Sequence, residues 1–345
     1  MKQVCVAALL AAVLAVGSIA TSNVWASAGA ERAGSEVATL EDPLNPVADW
    51  LMERDNLRQR AAGIEYRLSM NGMHWSPTFD SASLMEELEG AIADTDDAPS
   101  LSWLAGACLA AGVQELCIDA GLDEAIVQYD GGNFFSRMAL REQPDVNEAR
   151  RLLLESSVQR AYYPERVAVW HDALQHHDLQ HPDGVNDLGF ALFAGASSLT
   201  LPSGLHEACT TETDSSSNWN HACGRLAADM AENGRTAMER MLGWSLLEER
   251  ADALGDSIRA AEYADQRNAF TNHFHCVGGV ISSVADQLDA PGQREYVGWL
   301  IEHGELGAME RLAERNGLDC SDPPDARAEA MRRLLELEPE PGAQP

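Results

Sequence analysis

Lysine is all but missing from this chain: Lys2 is the only one, and every other basic side chain is arginine. The 24 basic residues face 55 acidic ones, a formal net charge of −31. A field of that sign repels nucleic acid and anionic lipid, so neither is expected as a partner. The acid is spread along the chain and not gathered in one block. The plain reading is a solvated surface, suited to a salty medium that screens self-repulsion within about 10 Å. A cationic partner is the alternative.

Other absences narrow the chemistry. No C-x-x-C occurs, which removes a thioredoxin-type redox site and a zinc knuckle. There is no phosphate-binding glycine loop and no dinucleotide fingerprint. Gly195-Ala196-Ser197-Ser198-Leu199 lacks the second glycine of a nucleophile elbow. No cofactor is implied. Sustained alternation of apolar and polar residues is missing and β-branched residues are scarce, so the predicted class is all-α. Past residue 20 no segment is apolar over the length a bilayer requires.

What is present begins at the N-terminus. Met1 and Lys2 precede an uncharged apolar stretch over residues 4–20, followed by Thr21-Ser22-Asn23 and the small-residue run Ala26-Ser27-Ala28. A basic start, an apolar middle and an A-x-A site describe a secretory signal peptide, with cleavage expected after Ala28. Cys5 leaves with it. Six cysteines remain, Cys108, Cys117, Cys209, Cys223, Cys276 and Cys320. An even number in an exported chain reads as disulfides, although six cysteines allow 15 pairings. Nearest-neighbour pairing is expected: Cys108 with Cys117, Cys209 with Cys223, Cys276 with Cys320. Localisation is then periplasmic or secreted, with no membrane attachment after cleavage.

Four segments follow: the signal over residues 1–28, a small and polar leader over 29–46, a helical-repeat region over 47–335, and an acidic, proline-rich tail over 336–345 expected to be disordered. A subdivision near 200–222 is the alternative to one helical domain. Within the long region, Ala149, Leu152, Leu153 and Ser156 recur at helical steps and predict a helix over 147–161, with Asp145 as its N-cap. Cys223, Leu226, Ala227 and Met230 share a face that Asn233-Gly234 should end through the left-handed conformation. Met238, Met241, Leu242, Ser245 and Leu246 form the next stripe. A weak echo links Glu232-Asn233-Gly234, followed by Ala237-Met238-Glu239-Arg240, to Glu302-His303-Gly304, followed by Ala308-Met309-Glu310-Arg311. In both, a helix is expected to end at the glycine turn before the next begins.

Trp103, Ala107, Cys108 and Ala111-Gly112 read as a helix ending in a turn. Cys117, Ala120, Gly121, Ala125, Ile126 and Tyr129 read as the second helix, and Asp130-Gly131-Gly132-Asn133 as a linker to the next. This stretch resembles the tetratricopeptide and related helical-repeat families, although Gly131 replaces the linker proline and the tyrosine position of the first helix is unfilled. The chain also looks like uncharacterised secreted bacterial proteins built of cysteine-stapled helix pairs. The resemblance implies an array of antiparallel helix hairpins, of α-α superhelix type, stapled by disulfides, and it implies no known activity.

The densest candidate chemistry is Trp170-His171-Asp172, His176-His177-Asp178 and His181. His177 and His181, four apart, would share a helical face and could bind one metal ion, with Asp178 or Asp183 completing the site. The plainer reading is a polar helix end, with histidine favoured by the negative C-terminal dipole. His273 and His275 would point apart on a helix and read as core-edge residues. Asp94, Asp96 and Asp97 lack EF-hand spacing and read as a loop or helix cap. Trp219, in a Ser/Asn-rich stretch, is expected to be exposed and to touch a partner. The expected function is an exported, non-enzymatic protein- or peptide-interaction module of the cell envelope. The alternative is a metal-binding protein or hydrolase-type enzyme using the histidine cluster.

Overall fold

The computed structural model describes residues 44–72, 81–141, 145–176, 186–197, 203–211 and 217–320. They form α1 (Asn45–Met52), α2 (Leu57–Gly72), α3 (Ser81–Asp94), α4 (Ala98–Ala111), α5 (Gln114–Asp119), α6 (Leu122–Tyr129), α7 (Phe134–Ala139) and α8 (Val146–Glu155). Then come α9 (Tyr163–His176), α10 (Asp187–Ser197), α11 (Ser203–Thr210), α12 (Asn218–Asn233), α13 (Ala237–Ala253), α14 (Ser257–Val284) and, after a 3-10 turn, α15 (Ala290–Arg315). No strand forms among the described residues; the one β feature is an isolated bridge between Asn133 and Val158. The all-α class holds. α1 opens within the last two residues of the stretch read as leader, where Pro46 supplies a helical φ without needing a hydrogen-bond acceptor.

Local chemistry fixes the helix starts. Asp97, Asn133, Asp145, Ser217, Thr236, Asp256 and Asp289 each place a side-chain oxygen on a first-turn backbone N–H. The expected cap at Asp145 is among them, accepting from Glu148 N at 2.8 Å. At the other end of α4 the turn expected at Ala111-Gly112 forms, with Gly112 in the left-handed region at φ 67°.

Packing is largely neighbour on neighbour, α1 on α2, α12 on α13, α13 on α14 and α14 on α15, while α2 passes over α3 to pack on α4. The file is not straight. α9 packs on α1, α2 and α10 and also on α15, so it joins the beginning of the array to its end. Three cores result. One gathers α1, α9, α10, α14 and α15 around Trp170, Tyr66 and Tyr296. The second lies among α2 to α6 around Trp103. The third unites α8, α11, α12 and α13. α11, inside the stretch named as a boundary, packs on α8, α12 and α13. Each expected disulfide is formed: Cys108–Cys117 between α4 and α5, Cys209–Cys223 between α11 and α12, and Cys276–Cys320 between α14 and the segment after α15.

Three local expectations are corrected. The helix predicted over 147–161 stops at Glu155. Ser156, Ser157 and Val158 are poor helix formers, and Ser156 Oγ turns back on Leu152 O. The freed segment is claimed by the linker, with Ser157 N and Val158 N donating to Gly132 O and Phe134 N to Val158 O. The helix expected from Cys117 to Tyr129 is two, parted at Ala120 and Gly121. Gly234 does end α12, but at φ −55°, ψ 133° and not in the left-handed region. Glycine is needed there for space, since a Cβ would lie 2.4 Å from Met230 O.

Candidate functional site

The histidine cluster is only partly within the described residues. His177 and His181, with Asp178 and Asp183, lie outside them. His171 is buried on α9, and burial holds its imidazole below the usual histidine range. His176 is exposed at the end of α9, with Nδ1 2.7 Å from Asp172 O and its ring 6.1 Å from that of Trp50. His273 bonds Glu310 at 2.7 Å and so bridges α14 to α15, while His275 is exposed. Asp97 is the α4 cap; burial opposes its charge, but Arg58 and Ser100 outweigh that and hold its carboxyl below the usual range. Trp219 is corrected: Ser217 starts α12 early enough to draw it into a helix, half-buried against the third core. There the Arg150 guanidinium covers its ring at 3.8 Å.

The structure assembles a polar junction that motif reading did not single out, along the segment 156–166. Asn133 is fully buried and satisfied on every side. Its amide NH2 shares its two hydrogens among Asp130, Ser136 and Arg160 O, and its carbonyl accepts from Phe135 N and Arg160 N. Asp130 also accepts from Ser136 Oγ at 2.5 Å and from Tyr162 Oη at 2.8 Å. Burial nevertheless pushes the Asp130 carboxyl above its usual range. Tyr162 carries φ 52°, the one positive φ outside glycine among the described residues. A bulky residue there costs on the order of 1–3 kcal/mol and persists only where neighbours over-determine it. Here the hydroxyl bond to Asp130 at one end and the α9 start at the other hold it.

Beyond Tyr162 the same junction becomes carboxyl-rich. Glu165 pairs with Arg235 at 2.5 Å. Buried Glu239 caps its own helix, accepting from Arg235 N, Thr236 N and, across the junction, Ala161 N. Glu305 accepts from Ala237 N at 2.7 Å. Burial raises Glu239, and burial together with the charge of Glu239 raises Glu305 to about 7. Arg160, Tyr162, Tyr163, Pro164, Arg235, Thr236 and Glu239 line a shallow cleft here whose interior holds about 10 Å³, the room of a single water.

A second buried pair lies deeper. Arg166 donates to Glu65 at 2.8 Å and to Gly195 O at 2.9 Å, with its guanidinium 5.5 Å from the Trp103 ring. Both side chains are 1% exposed. Burial pushes Glu65 up to about 8, with Arg166 pulling it only part of the way back, and lowers Arg166.

A legible signal existed for one part of this: Thr236-x-x-Glu239 is a capping-box spacing, and the box is formed. The glycine echo was legible too. α15 is broken at Gly304, with φ 75°, ψ −179°. The break lies directly against the Gly234 unit, since Glu305 N donates to Arg235 O at 2.7 Å.

Three disulfides suit an oxidising, exported environment. Among the described residues no helix is long and apolar enough to cross a membrane. No protein-family model, curated protein or solved structure matches the chain.

Proposed function

We propose that this is an exported protein of the periplasm or extracellular medium that works by binding another protein through an exposed helix. Support for export comes from the basic, apolar and small-residue pattern over residues 1–28 together with the disulfides. The tetratricopeptide-like stretch over 103–140 adds a helical-repeat setting in which surfaces of this kind are used for recognition.

One observation carries the binding reading. α14 is 28 residues long, yet no residue from 257 to 269 is buried. This half leans on α13 through Tyr263, whose ring lies 6.3 Å from that of Trp244. Ile258, Ala261, Glu262 and Asp265, spaced i, i+3, i+4 and i+7, are all exposed and share one face. Ile258 is 74% exposed. Such spacing is how a helix presents anchors to a groove, at low ordering cost because the helix is already formed. The fitting partner is a protein groove with an apolar pocket for Ile258 and basic groups for Glu262 and Asp265.

The test is affinity capture from the envelope and medium fractions, comparing the exported chain with an Ile258→Asp, Glu262→Arg, Asp265→Arg variant of unchanged helicity. A partner held by the first and lost at least tenfold by the variant is expected. A partner held equally by both removes α14 from the reading. Stoichiometric zinc, lost on replacing His177 and His181, would put the metal reading in its place. Export is checked by the mass of the extracellular chain, expected to begin at Gly29.

A further inference from the structure

The break at Gly304 gathers more carboxyl groups than it has cations to match. Glu165, Glu239 and Glu305 meet there from α9, α13 and α15. Arg235 neutralises Glu165; Arg160 lines the same cleft but is exposed, and Glu239 and Glu305 form no salt bridge among the described residues. Both are held by backbone N–H groups at the start of α13. The two halves of α15 are fastened at the same place: Arg235 donates to Ile301 O, its own carbonyl accepts from Glu305 N, and Glu305 accepts from Ala237 N. The groups facing Glu305 are Tyr163 from α9, Glu239 from α13 and Tyr296 from its own helix. Both tyrosine hydroxyls are pushed up by burial and by Glu305, so they stay neutral and supply no charge. On α14 the histidine of this side, His273, is engaged further along with Glu310.

We propose that this junction is a proton-operated clasp, closed while Glu305 is protonated and loosened when Glu239 and Glu305 are both charged. Two unpaired carboxylates at one helix start repel each other in a poorly solvated setting, and a proton relieves this where no cation does. Gly304 is the natural hinge. Its φ of 75° lets the chain turn between the two halves of α15, and a Cβ would sit 2.7 Å from Arg235 O. The raised position of Glu305, about 7, puts the transition in a range an exported protein meets outside the cytoplasm. The effect is local: the Cys276–Cys320 bridge retains the far end of α15 when the clasp loosens.

Hydrogen exchange on the full exported chain, at about pH 5.5 and about pH 8.5 and corrected for intrinsic rates, tests this. Peptides covering 235–241 and 296–312 should lose roughly tenfold in protection at the higher pH. Glu305→Gln, which cannot ionise, should hold its protection at both. A Glu305→Gln chain that keeps the wild-type pH dependence overturns the proposal. If that variant does not fold, the wild-type profile decides: loosening of these peptides well beyond that of 222–231 on α12, which reports the general loss from Glu65, supports the clasp, and loosening no greater than there overturns it.

Discussion

At the scale of single residues, the buried ionisable groups set what solution conditions do to this protein. Arg166 spends its guanidinium on Glu65, on Gly195 O and on the Trp103 face, and so ties α9 to α2, α10 and α4 at one point. Glu65→Ala leaves that guanidinium buried without its acceptor and is expected to cost about 3–5 kcal/mol in urea unfolding. Replacing both partners with apolar residues of similar volume should cost far less. The pH dependence has a definite sign. Glu65 is raised to about 8, so the folded chain holds this proton where the unfolded chain, near 4.5, has released it. Stability from this group is present below about pH 4.5 and is lost as pH rises to about 8. Glu65→Gln should flatten that slope, read from the unfolding midpoint across the same range. Neither residue stands in a motif. They lie 101 positions apart, and only packing makes them partners.

At the scale of elements, turn chemistry was the most legible part of the sequence and helix length the least. Caps at Asp145 and Asp97, the Gly112 turn and the glycine echo were all readable, because each depends on a few adjacent residues. The end of α8 was not. Apolar spacing over 147–161 speaks for a helix, but the Gly132 carbonyl and the Asn133 side-chain amide offer the backbone of 156–160 partners that no local pattern reveals. The echo has a direct test. Gly304→Ala must place a side chain at φ 75° and 2.7 Å from Arg235 O. It is expected to lower stability by about 2 kcal/mol in urea titration. Gly255→Ala, at φ 77° with nothing within 4 Å, bears the conformational strain without the collision and should cost less.

At the scale of the whole molecule, each of the three cores holds one disulfide within it, and α9 joins the beginning of the helix array to its end. Cys276–Cys320 spans 44 positions, and closing a loop of that length restricts the unfolded chain by about 4 kcal/mol. Cys108–Cys117 spans 9, worth about 3 kcal/mol on the same basis. A Cys276→Ser, Cys320→Ser chain is therefore expected to lose about 4 kcal/mol in unfolding free energy while its helix content, read by circular dichroism, is kept. An unchanged midpoint would show that α15 is held by its packing alone. By itself the sequence determined the all-α class and capped helix starts such as that at Asp145, because periodicity and capping act over a few residues, while the pairing of six cysteines needed the fold to choose among 15 possibilities. Only the tertiary structure decided that α9 closes the array, that Glu65 meets Arg166, and that Glu165, Glu239 and Glu305 share one junction. Those contacts join positions 68 to 119 residues apart, and what brings them together is burial of apolar surface, which no local pattern records.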